Sequence, residues 1–214
     1  MMTKAFADNG ARRVYIVGRR REKLDETAKI NPRVIVPIIG DVTSKESLCE
    51  MADFIEQDAG YLNLLCCNSG YMEPTIGVTT FDVPVSEYRR KALTQDVEEW
   101  NKTFSTNCTS IAFSIYACLD LLDAGNKKGN CPGRKSQVIV TSSIAGYSRV
   151  PALVSAYAAS KAAATHMVKQ FAGALVPYSI RVNGLAPGIF PSDLAAPIMR
   201  AGSRREGKVS ISSQ

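Results

Sequence analysis

The sequence has one histidine, a single tryptophan and only 7% aromatic residues, and it has no run of about 18 uninterrupted apolar residues. Six cysteines stand at Cys49, Cys66, Cys67, Cys108, Cys118 and Cys131 with no CxxC pair and no Cys/His spacing of a metal site, so no metal is expected. They read as reduced core residues. The start, Met1-Met2-Thr3-Lys4, lacks the apolar stretch of a signal peptide, and with no spanning run a soluble, cytoplasmic chain is expected, without membrane contact. Net charge is +6, but the 26 basic residues are scattered apart from Arg19-Arg20-Arg21 and Arg204-Arg205. Without a basic stripe interleaved with aromatics, no nucleic-acid partner is expected.

What is present is enough for one core: 214 residues, 45% of them hydrophobic. Short apolar runs rich in β-branched residues occur at Val14–Val17, Val34–Ile39, Leu62–Cys67, Val138–Thr141 and Ile180–Leu185. Segments of helical spacing separate them: Arg19 to Lys29, a segment capped by Thr43-Ser44 and continuing past Ile55, Val97 to Leu122, and Ala156 to Leu175. Apolar strands alternating with such helices predict an α/β fold, a Rossmann-like doubly wound parallel sheet flanked by helices. Pro74 to Lys91 reads as a polar connection and Gly125 to Lys135 as an exposed insertion. Residues 1–200 are expected to form the domain and the polar stretch 201–214 a poorly ordered tail.

Tyr157-Ala158-Ala159-Ser160-Lys161 puts a phenol and an ammonium four residues apart on one helical face, where the cation favours phenolate. Alone, that spacing is a common surface pair. Upstream, however, the strand Val138–Thr141 ends in Ser142-Ser143, and ligands of parallel sheets collect at the carboxyl ends of strands. With Ile144-Ala145-Gly146 after the serines, Pro187-Gly188 downstream, and Gly18-Arg19-Arg20, Gly40-Asp41-Val42 and Asn68-Ser69-Gly70 upstream, the chain resembles the short-chain dehydrogenase/reductase family, over about Thr3 to Met199.

The resemblance implies an NADP-dependent oxidoreductase in which Tyr157 exchanges a proton with a carbonyl or alcohol oxygen. Lys161 would lower the tyrosine pKa and hold the nicotinamide ribose, while Ser143 would donate to the substrate oxygen. The stretch from Ser143 to Tyr157 is about one residue longer than the family's, which leaves Ser142 as a rival. Asn107 matches an asparagine that holds a water for proton relay; a helix asparagine bonding backbone is the plain alternative. Phe190 and Ser192, after Pro187-Gly188, match the nicotinamide clasp. At the adenosine end no acid follows the strand Val14–Val17; Arg19 or Arg20 there suits the 2′-phosphate of NADP. Asp41 and Val42 match the adenine contacts and Asn68 the ribose contact, although Cys67 stands where the family usually has a second asparagine. His166 is expected to serve packing or the surface.

In the family a strand and a glycine-rich turn precede the helix that here begins within Met2–Ala7, and a helix and a strand follow the region near Met199. Their counterparts are not in the sequence, so a domain lacking its first strand with the Gly-rich loop, and its last strand, is expected, with two strand edges facing across a gap. Two readings follow. One is a reductase from an incomplete gene model or splice form, a homo-oligomer when complete. The other is a non-catalytic remnant acting through protein contacts. For the first, Tyr147, Leu153, Phe190 and Met199 point to an apolar ketone or 3-oxoacyl-like small molecule of lipid or secondary metabolism, in line with the resemblance to 3-oxoacyl reductases.

Overall fold

The structure, a computed structural model, describes residues 1–74, 83–149 and 155–190. The five apolar runs are strands: β1 (Val14–Gly18), β2 (Ile35–Ile39), β3 (Leu64–Cys67), β4 (Gln137–Thr141) and β5 (Arg181–Leu185). All neighbours run parallel, but in two sheets. One is β1-β2, with Val14 beside Ile35; the other is β3-β4-β5, with Leu64 beside Gln137 and Gln137 beside Arg181.

Around them lie α1 (Met2–Asp8), α2 (Arg21–Ala28), α3 (Lys45–Asp58), α4 (Val85–Ala92), α5 (Val97–Phe104), α6 (Ser110–Ala117), α7 (Leu119–Lys128) and α8 (Ala156–Ala174). The expected cap is at Ser44, whose hydroxyl accepts from the Ser47 N–H at 3.1 Å. Leu48, Met51 and Ile55 of α3 and Ile111 and Ile115 of α6 share one buried core with Leu122, Val138 and Val140. Tyr15 and Val17 of β1 pack against the same core, so side chains connect the two sheets where no ladder does.

Between β1 and β3 lies a cavity of about 1120 Å³, lined by residues 14–18 on one side and 62–69 on the other, with Ile111, Ser114 and Cys118 among the rest. This is the gap expected from the sequence. At one end the Asp58 carboxylate, at the last residue of α3, accepts from the Tyr15 hydroxyl at 2.5 Å and pairs with Arg13 Nε at 3.4 Å. Because Asp58 precedes β3 and Tyr15 lies at the start of β1, both strands begin at that end of the slot.

Four expectations need correction. The connection Pro74–Lys91 contains α4, which buries none of its residues and so left no apolar stripe in the sequence. The helix expected over Val97 to Leu122 is interrupted by a π-helical turn at Ser105–Thr109 and breaks again at Cys118. Gly125 is no loop residue. It is buried in α7, where a Cβ would stand 2.0 Å from the Leu62 carbonyl oxygen, and the helix ends only at Gly129, whose φ is +66°. Among the cysteines, all unpaired, Cys118 is buried, whereas Cys49 and Cys131 are exposed and not core.

Candidate active site

The carboxyl end of β4 delivers Thr141, Ser142 and Ser143 in sequence, and their roles differ because side chains alternate along an extended chain. Ser142 turns inward. Its hydroxyl donates to the Lys161 carbonyl at 2.9 Å and lies 2.6 Å from Thr165 Oγ1, which holds β4 against α8. Ser143 caps a short 3₁₀ turn, Ile144–Gly146, by accepting from the Ala145 N–H at 3.1 Å. Among the described residues its own O–H donates to no acceptor. Of the two serines, Ser143 is therefore the one with a proton to offer. The Ile144 N–H bonds the Pro187 carbonyl at 3.2 Å, which brings the segment after β5 to the same edge.

Ser155 caps α8 by accepting from the Ala158 N–H at 3.2 Å, and the helix then carries Tyr157 and Lys161 one turn apart. Tyr157 is half-buried; Lys161 is 3% exposed. The Lys161 ammonium donates to the Thr141 carbonyl at 2.7 Å and stands 5.7 Å from the centre of the Tyr157 ring. Burial pushes its pKa below the usual lysine value, with the nearby Cys108 thiol acting in the opposite direction. The Thr141 hydroxyl in turn donates to Asn68 Oδ1 at 2.9 Å, so Asn68 ties the end of β3 to the end of β4.

Asn107 sits fully buried in the π-helical turn. Its Oδ1 accepts from the Tyr71 N–H at 2.8 Å, and its Nδ2 donates to the Tyr71 carbonyl at 2.9 Å and to Ser160 Oγ at 2.8 Å. Both amide hydrogens are thus committed to protein atoms, and the carboxamide serves as a splice between the segment after β3 and α8. Sequence reasoning passed over Ser160 and Tyr71; the one available signal was that Ser160 lies one helical turn after Tyr157. Gly70 faces this group, and a Cβ there would lie 3.7 Å from both Asn107 Oδ1 and Lys161 Nζ.

At the carboxyl ends of β1 and β2, Arg19 Nη1 lies 3.7 Å from Asp41 Oδ2. Asp41 Oδ1 accepts from the Thr43 N–H at 2.9 Å and the Thr43 hydroxyl at 2.7 Å, which together with Arg19 hold its carboxyl below the usual carboxylate range. The Arg19 side chain is 71% exposed, so this ion pair is weak enough to exchange for a better anion. Arg20 is exposed beside it, Val42 is half-buried against the core, and Phe190 is exposed after Pro187-Gly188. Ser192, Leu153 and Met199 lie outside the described residues. His166 is exposed on α8. The structure thus gathers Ser143, Lys161, Asn107 and Asn68 around the ends of β3 and β4, with Tyr157 beside them, and pairs Arg19 with Asp41 at the other sheet.

The model of the short chain dehydrogenase family matches residues 1–202. The chain belongs to the short-chain dehydrogenase family. It is 46% identical over 203 residues to the short-chain dehydrogenase/reductase PhomF of Diaporthe leptostromiformis, covering 94% of this chain and 69% of that protein. It is 42% identical over 207 residues to the short-chain dehydrogenase/reductase SAT3 of Stachybotrys chartarum, covering 91% of this chain and 76% of that one. Among solved structures, the Pseudomonas aeruginosa RhlG/NADP active-site complex is similar, with a TM-score of 0.70, 28% identity, and coverage of 88% of this chain and 67% of that one. The family is one of oxidoreductases that use nicotinamide cofactors on small molecules. Among the described residues no single helix is long and apolar enough to cross a membrane.

Proposed function

We propose that this short-chain dehydrogenase transfers a hydride between NADP(H) and a ketone or secondary alcohol, an apolar or 3-oxoacyl-like small molecule of lipid or secondary metabolism. The observation that carries the reading is the convergence of Ser143, Lys161 and Asn107 at the strand ends, with Tyr157 on the same helix one turn from Lys161. The fungal relatives PhomF and SAT3 support the family half of it. The RhlG complex with NADP supports the cofactor half.

The residues present suit NADP at both ends. Arg19 and Arg20 would take the 2′-phosphate, Asp41 and Val42 the adenine, Asn68 the adenosine ribose, Tyr157 and Lys161 the nicotinamide ribose, and Phe190 with Ser192 the carboxamide. The bare Gly70 wall beside Lys161 leaves room there that a larger residue would fill. When bound, the cofactor supplies the hydride. The protein's part is proton transfer and charge stabilisation. Ser143 donates its unused O–H to the substrate oxygen as negative charge grows on it. Tyr157 gives that oxygen its proton in reduction and recovers it in oxidation. Lys161, held in a dry site one helical turn from Tyr157, would hold the nicotinamide ribose beside it. Asn107 fixes the helix turn between them; a water for proton relay would have to use atoms other than its committed amide hydrogens.

A second reading, action through protein contacts alone, is favoured by the slot between β1 and β3, whose walls include two strands that do not pair with each other. Both readings carry a cytoplasmic protein, the first a homo-oligomer when complete. The test is NADPH oxidation by the purified chain at millimolar cofactor with a panel of apolar ketones and 3-oxoacyl thioesters. Turnover that Tyr157→Phe lowers by at least about 10²-fold, the low end for acid–base catalysis, supports the first reading. Turnover retained in Tyr157→Phe removes the assignment of Tyr157, and none with any carbonyl leaves the second.

A further inference from the structure

Outside the expected site, α5 directs three side chains at the segment that follows β3. The Tyr71 phenol donates to the Glu99 carboxylate, and Lys102 Nζ donates back to the phenol oxygen at 3.1 Å. The same ammonium lies 3.2 Å from Glu99 Oε1 and 4.4 Å from the centre of the Tyr71 ring. Two residues on, the Glu73 carbonyl accepts from the hydroxyl of buried Thr103. Glu99 and Lys102 are partly exposed, and their ion pair alone is weak. What sets the group apart is where Tyr71 leads.

Both polar groups of the Tyr71 main chain are held by Asn107. Asn107 passes its remaining amide hydrogen to Ser160, and Ser160 donates to the Tyr157 carbonyl at 2.8 Å. Hydrogen bonds on either side of Tyr71, joined through its own side chain, therefore connect an acid on α5 to the turn of α8 that bears Tyr157 and Lys161. Its inner half is dry, since Asn107 and Ser160 are both fully buried. Asn107 cannot rotate its carboxamide without breaking three bonds at once. If the Tyr71 segment let go, Asn107 would lose two of its three hydrogen bonds, and the Gly70 wall would part from Lys161.

We propose that Tyr71, anchored by Glu99 and Lys102, is a positioning residue that sets the placement of Tyr157 and Lys161 through Asn107 and Ser160. Its catalytic consequence rests on the oxidoreductase reading above; its positional consequence does not. Lys161 is the natural reporter, because among the described residues the groups facing it are few: Cys108 from the π-helical turn, the Tyr157 ring from its own helix, and the Thr141 carbonyl from β4. Water admitted past a loosened Gly70 would relieve the burial that depresses its titration.

The experiment reads the Lys161 Nζ titration by NMR on the full chain with 15N-labelled lysine, the signal being assigned by its loss in Lys161→Met. Tyr71→Phe keeps the ring and its contact with Lys102 but removes the hydroxyl, and Glu99→Ala removes the acceptor. Both are expected to move the Lys161 midpoint upward toward the ordinary lysine value of about 10.4. Glu99→Gln keeps an acceptor for the phenol and should leave the midpoint in place, and the double variant should shift no further than either single. In turnover, Tyr71→Phe and Glu99→Ala should lower kcat about tenfold with KM within about twofold, the size of effect expected for sub-ångström misplacement. Glu99→Gln should be spared. A Lys161 midpoint that Tyr71→Phe and Glu99→Ala both leave unchanged, in chains whose thermal melts show them folded, overturns the proposal. Absence of turnover in the unmodified chain would instead count against the oxidoreductase reading, and the titration would still decide the positioning.

Discussion

Adding one methyl group at Gly146 should disable the site without replacing any residue assigned to it. An ideal Cβ at Gly146 would stand 2.8 Å from the Ala162 nitrogen and from the Lys161 carbonyl carbon, and 3.0 Å from the Lys161 oxygen. These are backbone atoms of α8, and a helix 19 residues long does not yield to one methyl. The 3₁₀ turn must retreat by about 0.6 Å to restore ordinary contact near 3.4 Å. Ser143 is the cap of that turn and moves with it, away from Lys161 and Tyr157. Overpacking of this kind costs about 1–3 kcal/mol. For a chain of this size that corresponds to a fall in melting temperature of about 2–4 °C per kcal/mol. A shift approaching 1 Å at a reacting group can cost about 10²-fold, so Gly146→Ala should lower kcat by about 10- to 100-fold. The assay is NADPH oxidation at saturating carbonyl beside a thermal melt. A variant with kcat within about twofold of the parent and an unchanged melt would refute the contact on which this reasoning rests.

Replacing Arg19 and Arg20 together by alanine should weaken NADPH far more than NADH, because each charge-assisted bond to the 2′-phosphate contributes about 1.5–3 kcal/mol; equal losses in a fluorescence titration would assign the arginines another task. With β1 and β3 unpaired across the slot, the chain should bind NADPH weakly and melt at low temperature or aggregate, whereas micromolar binding by a monomer with one cooperative transition would count against that. Asp41 titrates below an ordinary carboxylate, chiefly through the Thr43 hydroxyl and N–H, so its contribution to stability is present above the unfolded carboxyl pKa of about 3.9 and is lost as pH falls through the lower folded value. Thr43→Val should therefore raise the pH at which acid unfolding begins, and an unmoved acid limb would show that the backbone bond alone sustains Asp41.

All five strands could be read from the sequence because each lies in a short run rich in β-branched and apolar residues, which composition reveals without knowledge of partners. Tyr157 and Lys161 were legible for a related reason: their geometry is local, one turn of one helix. α4 was not, since a helix that buries no side chain has no stripe to read. The π-helical turn was hidden because the extra residue is accommodated by contacts of Asn107 with Tyr71, 36 positions away, and with Ser160, 53 positions away. Gly125 misled for the opposite reason to Gly129. The first is a glycine because the Leu62 carbonyl presses on it, the second because the chain turns left-handed there, and a sequence records both with the same letter. The division of labour between Ser142 and Ser143 likewise needed the neighbouring helix, whose Lys161 carbonyl and Thr165 hydroxyl engage Ser142.

The slot also bears on how the molecule would come apart. A continuous ladder makes strands share one fate, since opening any of them breaks bonds on both sides. Here, among the described residues, β1 and β2 exchange backbone bonds with each other and with none of β3, β4 and β5, which they meet through side chains of the common core. Apolar contacts of that kind are shed one methyl at a time, and amides on a lone strand pair are guarded by little else. The chain should therefore consist of two cooperative units of unequal depth. Its slowest-exchanging amides should lie in β4, among the described residues the one strand bonded on both edges, and the pair that carries Arg19 and Asp41 should open first.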